Sequence, residues 1–308
     1  MFHPPIGLAT VAAHAHDSAQ SVGYWSLNWP LIIVLVAAVT AYQLAARAVT
    51  DRHPARPWPW RHSAFFLAGI AVLAFAAIGP LGTLDHQSFW AHMSQHILVM
   101  MLSAPLLLLG QPVLLLLRYV SAKTRHDVVV PILRSRFVAT ITHPAVSWTI
   151  FAVVLIGSHV TGFFEYSLEH DWVHHFIEHP LYLSAGLIYF YPLLGVGPRT
   201  SAIQPFAKVI SLFAMMLPEV VLGFAIYTSS SVLYPYYAEV TQRDVGPANA
   251  LDDQRLAGAL MWSSGMLFNA VWISVAVWEW LKAEEHKGLR VDAAIRAEAL
   301  AEARGEID

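Results

Sequence analysis

His92 and His96 stand four residues apart, as do His175 and His179, and His159 lies between the two pairs in the chain. Four residues is close to one helical turn, so each pair projects from a single helix face. Imidazole ligates copper, zinc, iron and nickel, and thioether adds a bias towards Cu(I). Met93 lies beside the first pair, and Met100 follows His96 by one further turn. Met101, Met215, Met216, Met261 and Met266 sit on apolar stretches that could reach the same place. The pattern points to a shared metal centre with His92, His96, His159, His175, His179, Met93 and Met100 as candidate ligands. Taken singly, a methionine in a helix is more often packing, and a lone histidine near a membrane surface is more often a hydrogen-bonding anchor.

Carboxylates are the second ingredient. Glu178 adjoins His179 and follows His175 by three residues. Asp85 precedes His86 just before the first histidine pair, and Asp253-Gln254 opens the last apolar stretch. Such groups can hold a ligating imidazole in place; the last two also suit a helix N-terminus, where negative charge meets the dipole. Glu219 follows Pro218 inside an apolar run, where a carboxyl needs a partner or a proton-handling role. His14-Ala15-His16-Asp17 could capture metal on a flexible arm. His170 and His174 form a further pair four apart, and His53, His62, His126, His143 and His286 are dispersed. Other chemistries fit the same residues. His175 to His179 spells H-x-x-E-H, in which two histidines bind zinc and the glutamate is a general base. Facing histidines could also ligate haem axially, or the imidazoles could bond only to one another as a structural scaffold.

The elements that must carry these residues are membrane helices. The chain has 308 residues, 56% hydrophobic and 13% charged, with a mean hydropathy of +0.52. That composition describes an all-α, polytopic integral membrane helix bundle. There is no cysteine, which excludes disulfides, thiolate metal sites, cysteine nucleophiles and iron–sulfur clusters. No phosphate-binding glycine loop or basic nucleic-acid patch is evident. At about 20 apolar residues per crossing, seven transmembrane helices are expected at 30–46, 62–80, 90–118, 144–163, 172–195, 206–228 and 254–281. Pro105 and Pro112 should kink or divide the third, and Pro218 should disturb the sixth.

Cations set the orientation. Of 18 Lys and Arg, all but Arg243 and Arg255 fall in alternate loops or in the tail. The positive-inside rule then puts the N-terminus outside and the C-terminus in the cytoplasm. Residues 1–29 carry no Lys or Arg and no apolar core long enough for a signal peptide, so they read as a retained extracytoplasmic arm. Residues 30–281 form the transmembrane domain, and 282–308 a cytoplasmic helical tail. In this frame the paired histidines lie on the outer side. Polar groups at membrane depth face a bundle interior or a cavity, so the pairs imply a common polar chamber.

The run Asp85-His86 … His92-Met93-Ser94-Gln95-His96, then Ala104-Pro105 and Leu109-Gly110-Gln111-Pro112, resembles the CtaG-like family of caa-type cytochrome c oxidase assembly factors. His175-Phe176-Ile177-Glu178-His179 with Tyr191-Pro192-Leu193-Leu194-Gly195 resembles it too, as does Asp253-Gln254 with Gly258 and Met261-Trp262. Ile97 departs from the family, which often has a methionine there. The resemblance implies a seven-helix protein of the bacterial cytoplasmic (inner) membrane, not an enzyme, that supports assembly of haem-copper oxidase. It implies a metallochaperone that binds copper, as Cu(I), in an outer-leaflet His/Met cavity and passes it to a cytochrome c oxidase subunit within the lipid bilayer. His92, Met93, His96, His159, His175, Glu178, His179, Asp253 and Gln254 match its motifs. Zinc and haem stay open as alternatives, a periplasmic copper donor and a homo-oligomer are compatible partners, and nucleic acid is not expected.

Overall fold

The computed structural model describes residues 21–22, 25–26, 28–195, 203–240, 243 and 245–303. His3, His14 and His16, and so the proposed metal-capturing arm, lie outside the described residues. The architecture is all-α, apart from a short antiparallel ribbon pairing Ser21–Val22 with Trp25–Ser26. Its long helices are α1 (Trp29–Arg52), α2 (Trp60–Ala77), α3 (Phe89–Ile97), α4 (Pro144–Val160), α5 (Phe163–Glu169), α6 (His179–Leu194), α7 (Pro205–Thr228) and α8 (Ala250–Ala303).

Proline opens four of these eight helices, where its missing N–H costs nothing and its fixed φ already suits the first turn. Pro30, Pro144, Pro180 and Pro205 all sit there. At the head of α1, Asn28 Oδ1 also accepts from Leu31 N at 3.2 Å. The third apolar stretch is not one rod. α3 passes into a π-helical segment, Leu98–Ser103, then Ala104–Leu109, before the chain breaks at Gln111 with φ 53°. The break exposes the Gly110 carbonyl, which accepts from Tyr42 Oη of α1 at 2.7 Å; Trp58 Nε1 in turn donates to Tyr42 Oη at 3.1 Å. The expected disruption at Pro218 does not divide α7, which runs unbroken through it.

Five helical stretches are long and apolar enough to cross a membrane: Trp29–Arg52, Trp60–Leu84, Phe89–Tyr119, Pro205–Thr228 and Ala250–Ala297. α4 and α5 make a sixth if counted as one span, bent by 68°. The bend falls at Thr161 and Gly162, so the expected crossing at 144–163 ends early and α5 turns aside. The expected crossing at 172–195 is helical throughout, but begins with Asp171–Val173 and a second π segment, His174–Glu178. Polarity across the bundle suits lipid. Val153, Leu217, Val221 and Leu267 are exposed, whereas Gln95, Ser103, Asp253 and Asn269 are fully buried. A soluble protein does not present so continuous an apolar surface.

Helix contacts near the site depend on glycine. α7 and α8 approach so closely that a Cβ on Gly258 would lie 2.6 Å from Tyr227 N. A Cβ on Gly186 of α6 would lie 2.9 Å from the Met100 carbonyl of the first π segment. Small residues permit backbone contact where lipid supplies no hydrophobic drive. α8 continues without interruption to Ala303, well beyond its apolar part.

Candidate metal centre

Asp85, from the turn after Pro80–Leu84, meets His92 and His96 of α3 and His174 and Glu178 of the second π segment in one buried cluster. Glu178 stands at its middle. Its Oε1 lies 3.3 Å from His92 Nε2 and 3.3 Å from His96 Nε2. Its Oε2 lies 2.7 Å from His174 Nδ1. The opposite nitrogen of His174, Nε2, is 2.9 Å from Asp85 Oδ2. Carboxylates only accept when ionised, so His174 must donate on both sides, or a carboxyl must carry the second proton. His92, His174 and Glu178 are all wholly buried.

The imidazoles of α3 are not fully satisfied. His92 Nδ1 has no hydrogen-bond partner. His96 Nε2 is near Glu178 but out of line for a hydrogen bond, and both its ring nitrogens are unsatisfied. Tyr182 of α6 stacks on His96 at 3.8 Å between centroids, holding the ring in place. At the end of α4, His159 Nδ1 donates to Leu155 O at 2.8 Å, and its Nε2 has no partner.

Asp85 is itself tightly held. Gln95 Nε2 donates to its Oδ2 at 3.0 Å and His86 N to its Oδ1 at 2.8 Å. Burial alone would push this carboxyl up, but His86 and the His174 ring beside it hold it well below the usual carboxylate range. Burial pushes the neighbouring His86 imidazole down, against the pull of Asp85.

Of the sequence-derived candidates, His92, His96, Glu178 and Asp85 come together. His179 is buried close by, its ring 4.5 Å from that of His174 and its Nε2 unsatisfied. His159 is one ring further out, 6.3 Å from His96. His175 is not in the cluster: it is part-exposed, and its Nδ1 donates to Asp171 O at 2.9 Å. The H-x-x-E-H reading needs His175 and His179 on one ion with Glu178 as base; their rings are 6.0 Å apart, and Glu178 is turned to His92, His96 and His174. Met93 and Met100 are buried and line a cavity of about 20 Å³ beside His96.

Asp253 and Gln254 act on backbone rather than on imidazole. Asp253 accepts from Phe89 N at 2.8 Å and Trp90 N at 3.1 Å, capping α3 from a different helix. Arg243 Nε stands 3.7 Å from the same carboxylate. Gln254 Oε1 accepts from Leu233 N at 2.7 Å and its Nε2 donates to Ser231 O at 3.1 Å, fixing the turn between α7 and α8. Sequence reasoning missed the central place of His174, which it had only as the partner of His170. It also missed Gln95 and Tyr182, whose types carry no ligand signal.

A helical membrane bundle that gathers buried imidazoles and carboxylates from separate segments is, as a class, a polytopic membrane protein with a buried histidine–carboxylate cluster. The chain belongs to the cytochrome c oxidase caa3 assembly factor family (Caa3_CtaG), whose model matches residues 40–283. It is also 25% identical over 268 residues to an uncharacterized protein of Mycobacterium leprae (strain TN), a match covering 85% of this chain and 40% of that protein. Uncharacterized proteins of Mycobacterium bovis and Mycobacterium tuberculosis match with the same identity and coverage. The chain thus spans well under half the length of these relatives. No solved structure matches it.

Proposed function

We propose that this assembly factor holds copper at the centre formed by His92, His96, His174 and Glu178 and supplies it to the copper centre of cytochrome c oxidase. One observation carries the reading. Nitrogen ligands about 2.0 Å from a tetrahedral ion stand roughly 3.3 Å apart, and Glu178 Oε1 stands 3.3 Å from both His92 Nε2 and His96 Nε2. His174 and Asp85 supply the remaining donors, and an arriving cation displaces the protons they share. Among the described residues, His92, His174 and Glu178 can direct ligand atoms to one point, as can Asp85, His86 and His174.

The role is delivery, not catalysis. The ion is held by side chains that can exchange it one at a time, in an outer chamber reached by a client subunit through the bilayer. Seven crossings, an extracytoplasmic N-terminus and a cytoplasmic C-terminus in the bacterial cytoplasmic membrane complete this proposal. A periplasmic donor loads the chamber.

Metal analysis of the detergent-purified protein, loaded with copper and desalted, tests it. Wild-type protein retains copper, and His92→Ala and Glu178→Gln lose the ion held at this centre. Equal copper in all three, or none in the wild type, overturns the assignment.

A further inference from the structure

The cavity beside His96 has a wall unlike any packing void. Met93, Met100, Met101 and Met261, with His96 and His159, line a space of about 20 Å³. That is room for one water-sized guest. Ordinary apolar cavities are lined by aliphatic side chains and stay dry; this one, beside Ile97, Phe151 and Leu155, carries methionines and histidines that can act as soft donors.

Its imidazoles are poised to accept. A carbonyl can only accept, so the 2.8 Å contact between His159 Nδ1 and Leu155 O puts the ring proton on Nδ1. The lone pair is then on Nε2, which is buried and has no donor facing it. His159 is 6% exposed, so water does not satisfy it freely. An unmet buried acceptor is costly, and a cation relieves it. His96 stands on both walls: it lies 3.3 Å from Glu178 Oε1 and also lines this cavity.

The surrounding backbone favours the same reading. Leu98–Ser103 is a π segment, and its two methionines are both buried and both on the wall. Such segments recur at functional positions because they interrupt the regular helical register. Glu219 of α7 is the one acidic group on the wall. A Cβ on Gly265 would fall 2.5 Å from its Oε2, which accepts from Asn269 Nδ2 at 3.0 Å. Glycine there leaves the carboxyl its place.

We propose that this cavity is a second metal site, selective for monovalent copper, in which His159 Nε2 and the methionine thioethers receive Cu(I) through His96. Thioethers with one or two imidazoles suit Cu(I), whereas Cu(II) and Zn(II) favour the nitrogen and oxygen donors around Glu178. No electron moves; Cu(I) exchanges one ligand set for another. The inference rests on the copper reading above for its cargo, but the two sites share only His96.

Full-length protein in detergent, titrated anaerobically with Ag(I) and with Cu(I) against a chromogenic chelator, distinguishes them. The wild type is expected to bind about two Ag(I), with sulfur neighbours in the X-ray absorption spectrum. Met100→Leu/Met261→Leu preserves volume and fold. It should bind about one Ag(I), lose much of the sulfur shell, and hold Cu(I) roughly tenfold or more weakly. His92→Ala should lose the other ion and keep the sulfur shell. A leucine variant that binds as the wild type does, or a wild type without sulfur neighbours, overturns the second site and leaves the outer centre standing if His92→Ala still loses its ion. Loss in the leucine variant with none in His92→Ala supports the second site and removes the outer one.

Discussion

Glu178 touches three imidazoles, and Asp85 closes the far side of His174. Charge at Asp85 is therefore worth stability, and its sign can be followed through pH. The folded carboxyl is held below its ordinary value by His86 and His174 despite burial. Its contribution is then complete above the unfolded value of about 3.9 and drains away below it, as pH falls towards the depressed folded value. Asp85→Asn in chelated, metal-free protein should lower stability at pH 7 by about 2 kcal/mol. Thermal unfolding across pH should show the gap between variant and wild type steady from pH 7 down to about pH 4 and narrowing only below it; a gap that stays constant well below pH 4 would mean the charge is not what matters. At this scale the sequence was legible where helices are regular. His92 and His96 meet as an i,i+4 pair should, with rings 4.4 Å apart. On the second helix the same logic selects His175 and His179, yet His174 occupies the centre. The π segment His174–Glu178 widens the turn, so residues five apart share a face. The His174 and His179 rings are 4.5 Å apart, against 6.0 Å for His175 and His179. Side-chain types cannot announce a π turn.

Elements set the precision of the centre, and the most consequential contact is one between helices. Asp253 at the start of α8 caps the first turn of α3 through Phe89 N and Trp90 N, just ahead of His92. It also neutralises Arg243, whose side chain is 3% exposed. The sequence placed a carboxylate near a helix N-terminus correctly, but its capping serves a different helix from its own. Nothing local in the chain reveals that pairing, because it depends on the tertiary approach of α8 to α3. Asp253→Ala leaves two amides without their acceptor and a buried guanidinium without its counter-charge, a loss on the order of 3 kcal/mol. We expect a lower thermal midpoint together with reduced copper retention, although the residue touches no candidate ligand. Asp253→Asn keeps an acceptor and should recover part of both. Retention unchanged in the alanine variant would show that α3 holds its own position.

At the scale of the whole molecule, the family and the multi-pass helical character were readable from motif order and hydropathy. The number of crossings was less so. A span was read as one apolar run, but α4 bends by 68° into α5, and the Asp171–Leu194 run begins with a charged residue and a π turn. Hydropathy counts apolar residues; it does not register a bend or a buried polar helix face. Charge still gives a testable orientation, since Arg125, Arg134 and Arg136 lie between α3 and α4, whereas Glu239 lies between α7 and α8. If all seven runs cross, these loops are on opposite sides of the bilayer. The chain has no cysteine, so a single introduced thiol reports alone. His126, which is exposed, and Glu239 are the natural positions. In intact cells, a membrane-impermeant maleimide should label Glu239→Cys and spare His126→Cys, and lysed cells should label both. Labelling of both in intact cells, or the reverse order, would remove the outer position of the histidine chamber. Delivery to a client from the extracytoplasmic side would fall with it, because Glu239 ends the short helix Pro235–Glu239 whose Tyr237 Oη donates to Asp85 O at 2.6 Å, tying that loop to the centre.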